Sequence, residues 1–104
     1  QTRDFIHVED VVEGNMLAIN KEKAVGKVLN IATGRPATIN QLAEKLQRIM
    51  CKTDIQPVYS DARLGDIEHS YADITAAEKF LQYRPRVSLD DGLARLIRFH
   101  SKSV

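Results

Sequence analysis

Arg3-Asp4-Phe5-Ile6-His7-Val8-Glu9-Asp10-Val11-Val12 changes its hydrophobic period midway, and the way that change is read decides the fold. Phe5-Ile6-His7-Val8 is a short β-prone run, while Val11, Val12, Leu17 and Ala18 recur at helical spacing. The residues therefore predict a strand or extended segment feeding a helix over about 9–20. Glu9 and Asp10 fall in the first turn of that helix, where acids complement the partial positive charge of the unpaired amides. Gly14 inside it costs about 1 kcal/mol relative to alanine, so its expected use is close packing against a neighbour.

Beyond this stretch, 21–27 is a charged connector and Val28-Leu29-Asn30-Ile31-Ala32 is an apolar run of the kind buried on both faces of a sheet. Thr33-Gly34-Arg35-Pro36 ends it as a turn. Thr38 is a good N-cap for a helix whose face is traced by Ile39, Leu42, Ala43, Leu46, Ile49 and Met50. Residues 55–59 read as a further short strand, confined to an edge by Pro57. Residues 60–70 form a loop too charged for any core element. Asp73 or Thr75 caps a helix containing Ala76, Ala77, Phe80 and Leu81, which stops near the Arg84-Pro85 step. Ser88, with Asp91 three positions on, opens a last helix carrying Leu89, Leu93, Leu96, Ile97 and His100. The expected class is α/β: a small mixed unit of about four helices with two or three short strands, mixed in order rather than alternating.

The 104 residues suffice for one domain, and a domain this short buries a small core, so a face made for a partner would be a large share of its surface. Fifteen basic residues against 14 acidic ones, spread along the chain, leave a net charge of +1 and no electrostatic footprint for nucleic acid or an anionic membrane. No apolar run reaches the roughly 18 residues of a membrane span. The single cysteine, Cys51, cannot form an internal disulfide and fits a reducing, cytoplasmic setting as a packing residue. An opening in mid-pattern, without start methionine or leader, is what a piece of a longer polypeptide would show.

Several chemistries lack their signatures. The five glycines, at 14, 26, 34, 65 and 92, are isolated, so no G-x-G-x-x-G turn lets the backbone approach a pyrophosphate. A tyrosine used for proton transfer beside a nicotinamide needs a lysine four positions on to lower its pKa; Tyr59, Tyr71 and Tyr83 are followed there by Arg63, Thr75 and Val87. His7, His69 and His100 lie far apart and no metal-ligand spacing occurs. No G-x-S-x-G elbow supports a nucleophilic serine. Catalytic, cofactor and metal residues are therefore not expected in this chain.

Three segments, in this order, resemble the C-terminal region of the extended short-chain dehydrogenase/reductase family, the group that contains UDP-glucose 4-epimerase and the nucleotide-sugar dehydratases. Residues 3–12 are similar to the family's R-D-[FY]-[IV]-H-V-x-D run. Val28 to Gly34, with the helix beginning at Thr38, are similar to its strand, N-[IVL]-[GA]-x-G turn and helix. Arg63-Leu64-Gly65-Asp66, then Tyr71-Ala72-Asp73 and a helix before Pro85, are similar to its R-x-G-D and x-A-D segments. The ten-residue first match is the most specific, and the resemblance runs from Arg3 to about His100.

The resemblance implies that residues 1–104 are the C-terminal substrate-binding part of an NAD-dependent sugar-nucleotide epimerase or dehydratase, capping an N-terminal Rossmann domain not contained in this chain. NAD would then be the cofactor of the parent and not of this piece. Arg3 and Arg63 match the family's arginines that clamp the diphosphate, where a planar guanidinium donates paired, charge-assisted bonds. Asp66 matches the acid set against the ribose hydroxyls. Where some epimerases have a tyrosine four residues after that aspartate, this chain has Ser70, so the contact would be lost or supplied by Tyr71. His7 is expected to be a structural strand residue and Asp10 a first-turn acid rather than site residues.

Against this stand readings of Arg3 and Arg63 as solvated charges or local ion partners of Asp4 and Asp61. Two other functions compete: a stand-alone nucleotide-binding module, and a protein-interaction domain without catalysis. The expected partners are a nucleotide-diphosphate sugar, the chain's own Rossmann half and, for the chain by itself, further copies joined through uncovered apolar surface.

Overall fold

Thr2 and Arg3 form the first strand, β1 (Thr2–Arg3), paired antiparallel with β2 (Ala37–Thr38) in the register Thr2↔Thr38 and Arg3↔Ala37. The computed structural model describes residues 1–61 and 63–103. Four α-helices complete the regular structure of these residues: α1 (Val8–Asn20), α2 (Ile39–Ile49), α3 (Thr75–Leu81) and α4 (Leu89–Ser103), with a 3₁₀ turn at Glu22–Ala24 in the charged connector. The class is mixed α/β, as the sequence implies. Residue 62, within the expected loop, lies outside the described residues.

Of the two or three short strands expected, none forms where the β-prone runs lie, and the first run is an extended entry to α1. Phe5 to His7 is extended, but the His7 imidazole accepts the N–H of Glu9 at 3.0 Å through Nδ1, which makes His7 the N-cap of α1 rather than a strand residue. Capping satisfies an otherwise orphaned helix donor and outweighs local β propensity. Within residues 28–32, Leu29 and Ile31 pack on the core and Ala32 is buried while Val28 and Asn30 are exposed, and no described strand lies beside them. Residues 55–59 are exposed throughout and lack a ladder, with Pro57 removing one donor in any case.

The helices follow their local signals more closely. Thr38 and Gln41 form a reciprocal capping box on α2, with bonds of 2.9 Å and 2.8 Å. Asp73 accepts both the N–H and the hydroxyl of Thr75, at 2.9 Å and 2.6 Å, turning the chain into α3. That helix ends at Leu81, before the Arg84-Pro85 step, because Gln82 adopts a left-handed conformation with φ 56° and the Tyr83 N–H reaches back to Ala77 at 3.3 Å. Ser88 caps α4 through the Asp91 N–H at 3.1 Å.

The core is a cluster of Ala77, Leu81 and Tyr83, flanked by Leu17 of α1, Ala24, Leu29, Ile31 and Ile74. Gly14 serves close packing, as expected: a Cβ there would lie 2.8 Å from Ile31 Cγ2. Asp10 is not merely a first-turn acid. It is 2% exposed, and its two oxygens accept the N–H groups of Arg86 and Val87 at 3.0 Å and 3.1 Å. The Tyr83 hydroxyl donates to Ala32 O at 2.7 Å.

The resulting body is a slab of 51 × 37 × 19 Å with a radius of gyration of 16.5 Å, against about 13 Å for a compact domain of this length. It exposes 8245 Å², whereas a compact monomer of its mass exposes about 5,900 Å². Part of the excess comes from residues 50–61 and 63–71, all of them exposed.

Candidate functional site

β1 is short, but it gathers three segments. Thr2 N–H donates to Glu68 O at 2.9 Å, Ser70 N–H donates to Thr2 O at 2.9 Å, and Thr2 Oγ1 meets His69 Nδ1 at 2.9 Å, so the charged loop lies parallel to β1 at an isolated bridge. The Arg3 guanidinium extends this seam, donating to Ile67 O and Thr2 O at 2.6 Å each and to Glu68 O at 3.4 Å. The neighbouring Asp4 is turned to other work. Its Oδ1 accepts the N–H and hydroxyl of Thr33, and its Oδ2 accepts the N–H groups of Gly34 at 2.9 Å and Ala72 at 3.4 Å.

Burial alone would raise the Asp4 carboxyl. The bonds from the Thr33 hydroxyl and from the amides of Thr33, Gly34 and Ala72 outweigh it and hold the group below its ordinary 3.8. Gly34, at φ 72°, supplies the turn that aims its amide at this carboxylate.

Arg63 and Asp66 share one turn of the loop: Asp66 Oδ2 accepts the Arg63 N–H at 3.2 Å, and the Asp66 N–H donates to Arg63 O at 3.1 Å. Gly65 between them has φ 88°. Ile67, whose carbonyl Arg3 holds, directly follows Asp66, so the turn is anchored to β1 through its next residue. The structure thus joins the segments that carry all three sequence-indicated residues. Neither the Arg3–Asp4 nor the Arg63–Asp61 ion pair occurs among the described residues. The Arg3 guanidinium is engaged by backbone carbonyls, and Arg63 meets Asp66 through its backbone N–H. Tyr71, considered as a replacement for the family's tyrosine, is exposed.

Sequence reasoning missed Asp4 as the organiser of this region, because its partners lie 29 to 68 positions away and leave no local pattern. The glycines serve other roles than a pyrophosphate-binding turn: Gly14, Gly34 and Gly92 pack against the side chains of Ile31, Ile74 and His7, and Gly26 and Gly65 stand singly in open turns. Among the described residues, no group of three or more His, Cys, Asp or Glu is placed to hold a metal ion, and no helix is long and apolar enough to cross a membrane.

A family model described as GDP-mannose 4,6 dehydratase matches residues 1–96. The chain is 29% identical to a UDP-glucuronate 4-epimerase of Thermodesulfobacterium geofontis over all of its own length and 32% of the relative's. It is 31% identical to a UDP-glucose 4-epimerase of Mycolicibacterium smegmatis, covering 94% of this chain and 31% of that one. Among solved structures, the UDP-glucose 4-epimerase of Thermotoga maritima with UDP-glucose superposes with a TM-score of 0.91 at 40% identity, over 98% of this chain and 32% of that one. The UDP-glucuronic acid 4-epimerase of Bacillus cereus, in complex with UDP-glucuronic acid and NAD, gives a TM-score of 0.90 at 31% identity, over 100% and 33%. The chain therefore spans about a third of the length of the proteins it matches.

Proposed function

The chain belongs to the family described as GDP-mannose 4,6 dehydratase, and from that membership we propose that it is the nucleotide-sugar-binding, C-terminal part of an NAD-dependent sugar-nucleotide epimerase. The observation that carries this reading is the fastening of the Arg63–Asp66 turn to Arg3 through the Ile67 and Glu68 carbonyls. Arg3 and Arg63 would hold the diphosphate and Asp66 the ribose hydroxyls, so that the sugar is presented to a nicotinamide bound elsewhere in the polypeptide. NAD would supply hydride transfer when bound by the other part; this chain's contribution is to position the substrate. The family model is described as a dehydratase, but the named relatives are UDP-sugar 4-epimerases, which favours epimerisation of a UDP-sugar such as UDP-glucose.

The test is a fusion in which this chain replaces the corresponding third of the Thermotoga maritima enzyme. The fusion should bind UDP in calorimetry and interconvert UDP-glucose and UDP-galactose, whereas the chain by itself should neither bind NAD nor turn over substrate. Micromolar NAD binding by the chain alone, or a folded fusion that ignores UDP, would overturn the reading. A stand-alone nucleotide-binding module is the second reading, because the fastening of Arg3 to the loop is internal to the chain; UDP binding of equal strength with and without the added part would establish it.

A further inference from the structure

We propose that the hollow between the charged connector and α3 binds a small phosphate-bearing anion of the pyrophosphate class. Lys21, Lys23 and Lys27 lie in and beside the 3₁₀ turn Glu22–Ala24, and Lys79 lies in the last turn of α3. Packing of that turn on α3 gathers them round one half-buried aromatic ring. The Lys27 and Lys79 ammonium nitrogens stand 4.3 Å and 5.2 Å from the centre of the Phe80 ring. Lys21 reaches the same helix end, where its ammonium group donates to the Gln82 amide oxygen at 3.3 Å. Two adjoining hollows, of about 490 Å³ and 350 Å³, share Lys23, Lys79 and Phe80 in their linings. Neither contains a residue of the seam formed by Arg3, Ile67 and Glu68, so this site stands whether or not Arg3 and Arg63 hold a substrate.

The charges do not balance within the chain. None of the four ammonium groups is paired with a carboxylate among the described residues, and the Lys21 partner is a neutral amide. Part of the positive charge has a structural use, since α1 ends at Asn20 and α3 at Leu81, and each C-terminal end carries roughly half a negative charge. Together with Glu22, the one acid in either lining, the two helix ends offset about two of the four lysines. The Phe80 ring attracts Lys27 and Lys79 through its negative face but adds no net charge. The remaining like charges repel one another, and a local conflict of this kind in a folded chain marks a place where function sets the sequence.

The chemistry of the lysines selects the occupant. An ammonium group is a compact point charge with three N–H donors, suited to tetrahedral phosphate oxygens approached from several sides. A diphosphate concentrates its charge in a volume that fits the hollow, and both hollows fall in the size range of small-molecule sites. An acidic peptide carries one charge per side chain and needs an extended groove to present several of them. The Phe80 ring keeps water from one side of the ammonium groups, which strengthens their attraction for an anion. Held by Lys23 and Lys27 on one side and Lys79 on the other, the anion would fasten the connector to α3.

NMR titration of the Arg63→Ala chain with sodium pyrophosphate tests this, the substitution weakening any binding at the charged loop. The Phe80 ring protons and the Lys27 and Lys79 side-chain signals should shift and saturate, with a Kd below about 1 mM. Lys23→Gln combined with Lys79→Gln should weaken that binding by about tenfold or more, while the melting temperature without pyrophosphate stays unchanged. Shifts that never saturate, or that sodium chloride reproduces at equal ionic strength, would overturn the proposal. So would saturation confined to residues 63–70, or tighter saturation of the Phe80 and lysine signals by a six-glutamate peptide, which would give the surface to an acidic protein partner. UDP binding by the fused enzyme is read separately, so either site can fail without the other.

Discussion

Asp4 closes on Thr33 from two directions, accepting its amide N–H at 2.8 Å and its hydroxyl at 2.6 Å through one carboxylate oxygen. The other oxygen ties Gly34 and Ala72, so one side chain fixes a turn and the far end of the charged loop against the first strand.

Replacing that carboxylate tests the arrangement. Asp4→Asn turns a donor toward amides that need an acceptor and should lower stability by about 1.5–3 kcal/mol at neutral pH. Because hydrogen bonding depresses the Asp4 pKa, its contribution is complete above the ordinary value of 3.8 and is lost as pH falls from there through the lowered folded value. Urea midpoints followed downward from neutral pH should therefore fall more steeply below 3.8 in the parent chain than in Asp4→Asn; parallel curves would remove Asp4 from this role.

Tyr83 makes the opposite kind of pH probe. Burial, reinforced by the negative charges of Asp10 and Asp4, pushes its phenol up to about 12. The neutral form is the stabilised one, so the contribution holds below 10 and disappears as pH rises toward about 12. Absorbance titration should show a phenolate step near there that is missing from Tyr83→Phe. That variant should also lose about 1–3 kcal/mol, because the Ala32 carbonyl loses its buried donor.

Gly14→Ala sets helix propensity against packing. Alanine gains at most about 1 kcal/mol in a helix interior, but its methyl would meet three Ile31 carbons at 2.8 to 3.0 Å, and overpacking costs about 1–3 kcal/mol. A net loss of about 1 kcal/mol is expected, read as a lower urea midpoint at unchanged slope. A gain in stability would show that Ile31 can move aside.

The two arginines should fail differently in the fused enzyme. Arg63→Ala should weaken UDP-sugar binding by about 1–3 kcal/mol, roughly 5- to 150-fold, and leave the fold intact. Arg3→Ala should weaken it further, because it also releases the Ile67 and Glu68 carbonyls that hold the loop in place. Arg3→Lys should not restore affinity, since an ammonium cannot fork to two carbonyls as a guanidinium does. Equal effects of the two alanine variants would separate Arg3 from the loop's placement.

The helices were legible because their signals are local: Thr38 before its apolar face, Ser88 before Asp91, Gly14 within an otherwise regular period. The strands were not. Val28 to Ala32 has the composition of a buried strand, but a ladder needs a neighbour, and composition cannot say whether the same chain provides one. His7 shows a second limit, since a side-chain cap and a β-prone residue look alike until the following amide is placed. The candidate site was read through motif positions, which named Arg3, Arg63 and Asp66. The carboxylate that organises it was missed, because Asp4 acts on backbone amides far along the sequence, as Asp10 does in the fold around it.

The grip of Asp10 on the Val87 amide spans 77 positions, and this has a consequence for how the molecule comes into being. During synthesis α1 emerges before Arg86 and Val87, whose amides its carboxylate will hold. At roughly 5–20 residues per second, the ribosome needs about 4–15 s to supply them. Throughout that interval the Asp10 carboxylate stays hydrated, and Leu17 and the other residues that α1 turns to the core lack their partners. The first helix is the segment on which a chaperone would be expected to act, and a nascent chain stalled short of Val87 would be the form most exposed to quality control.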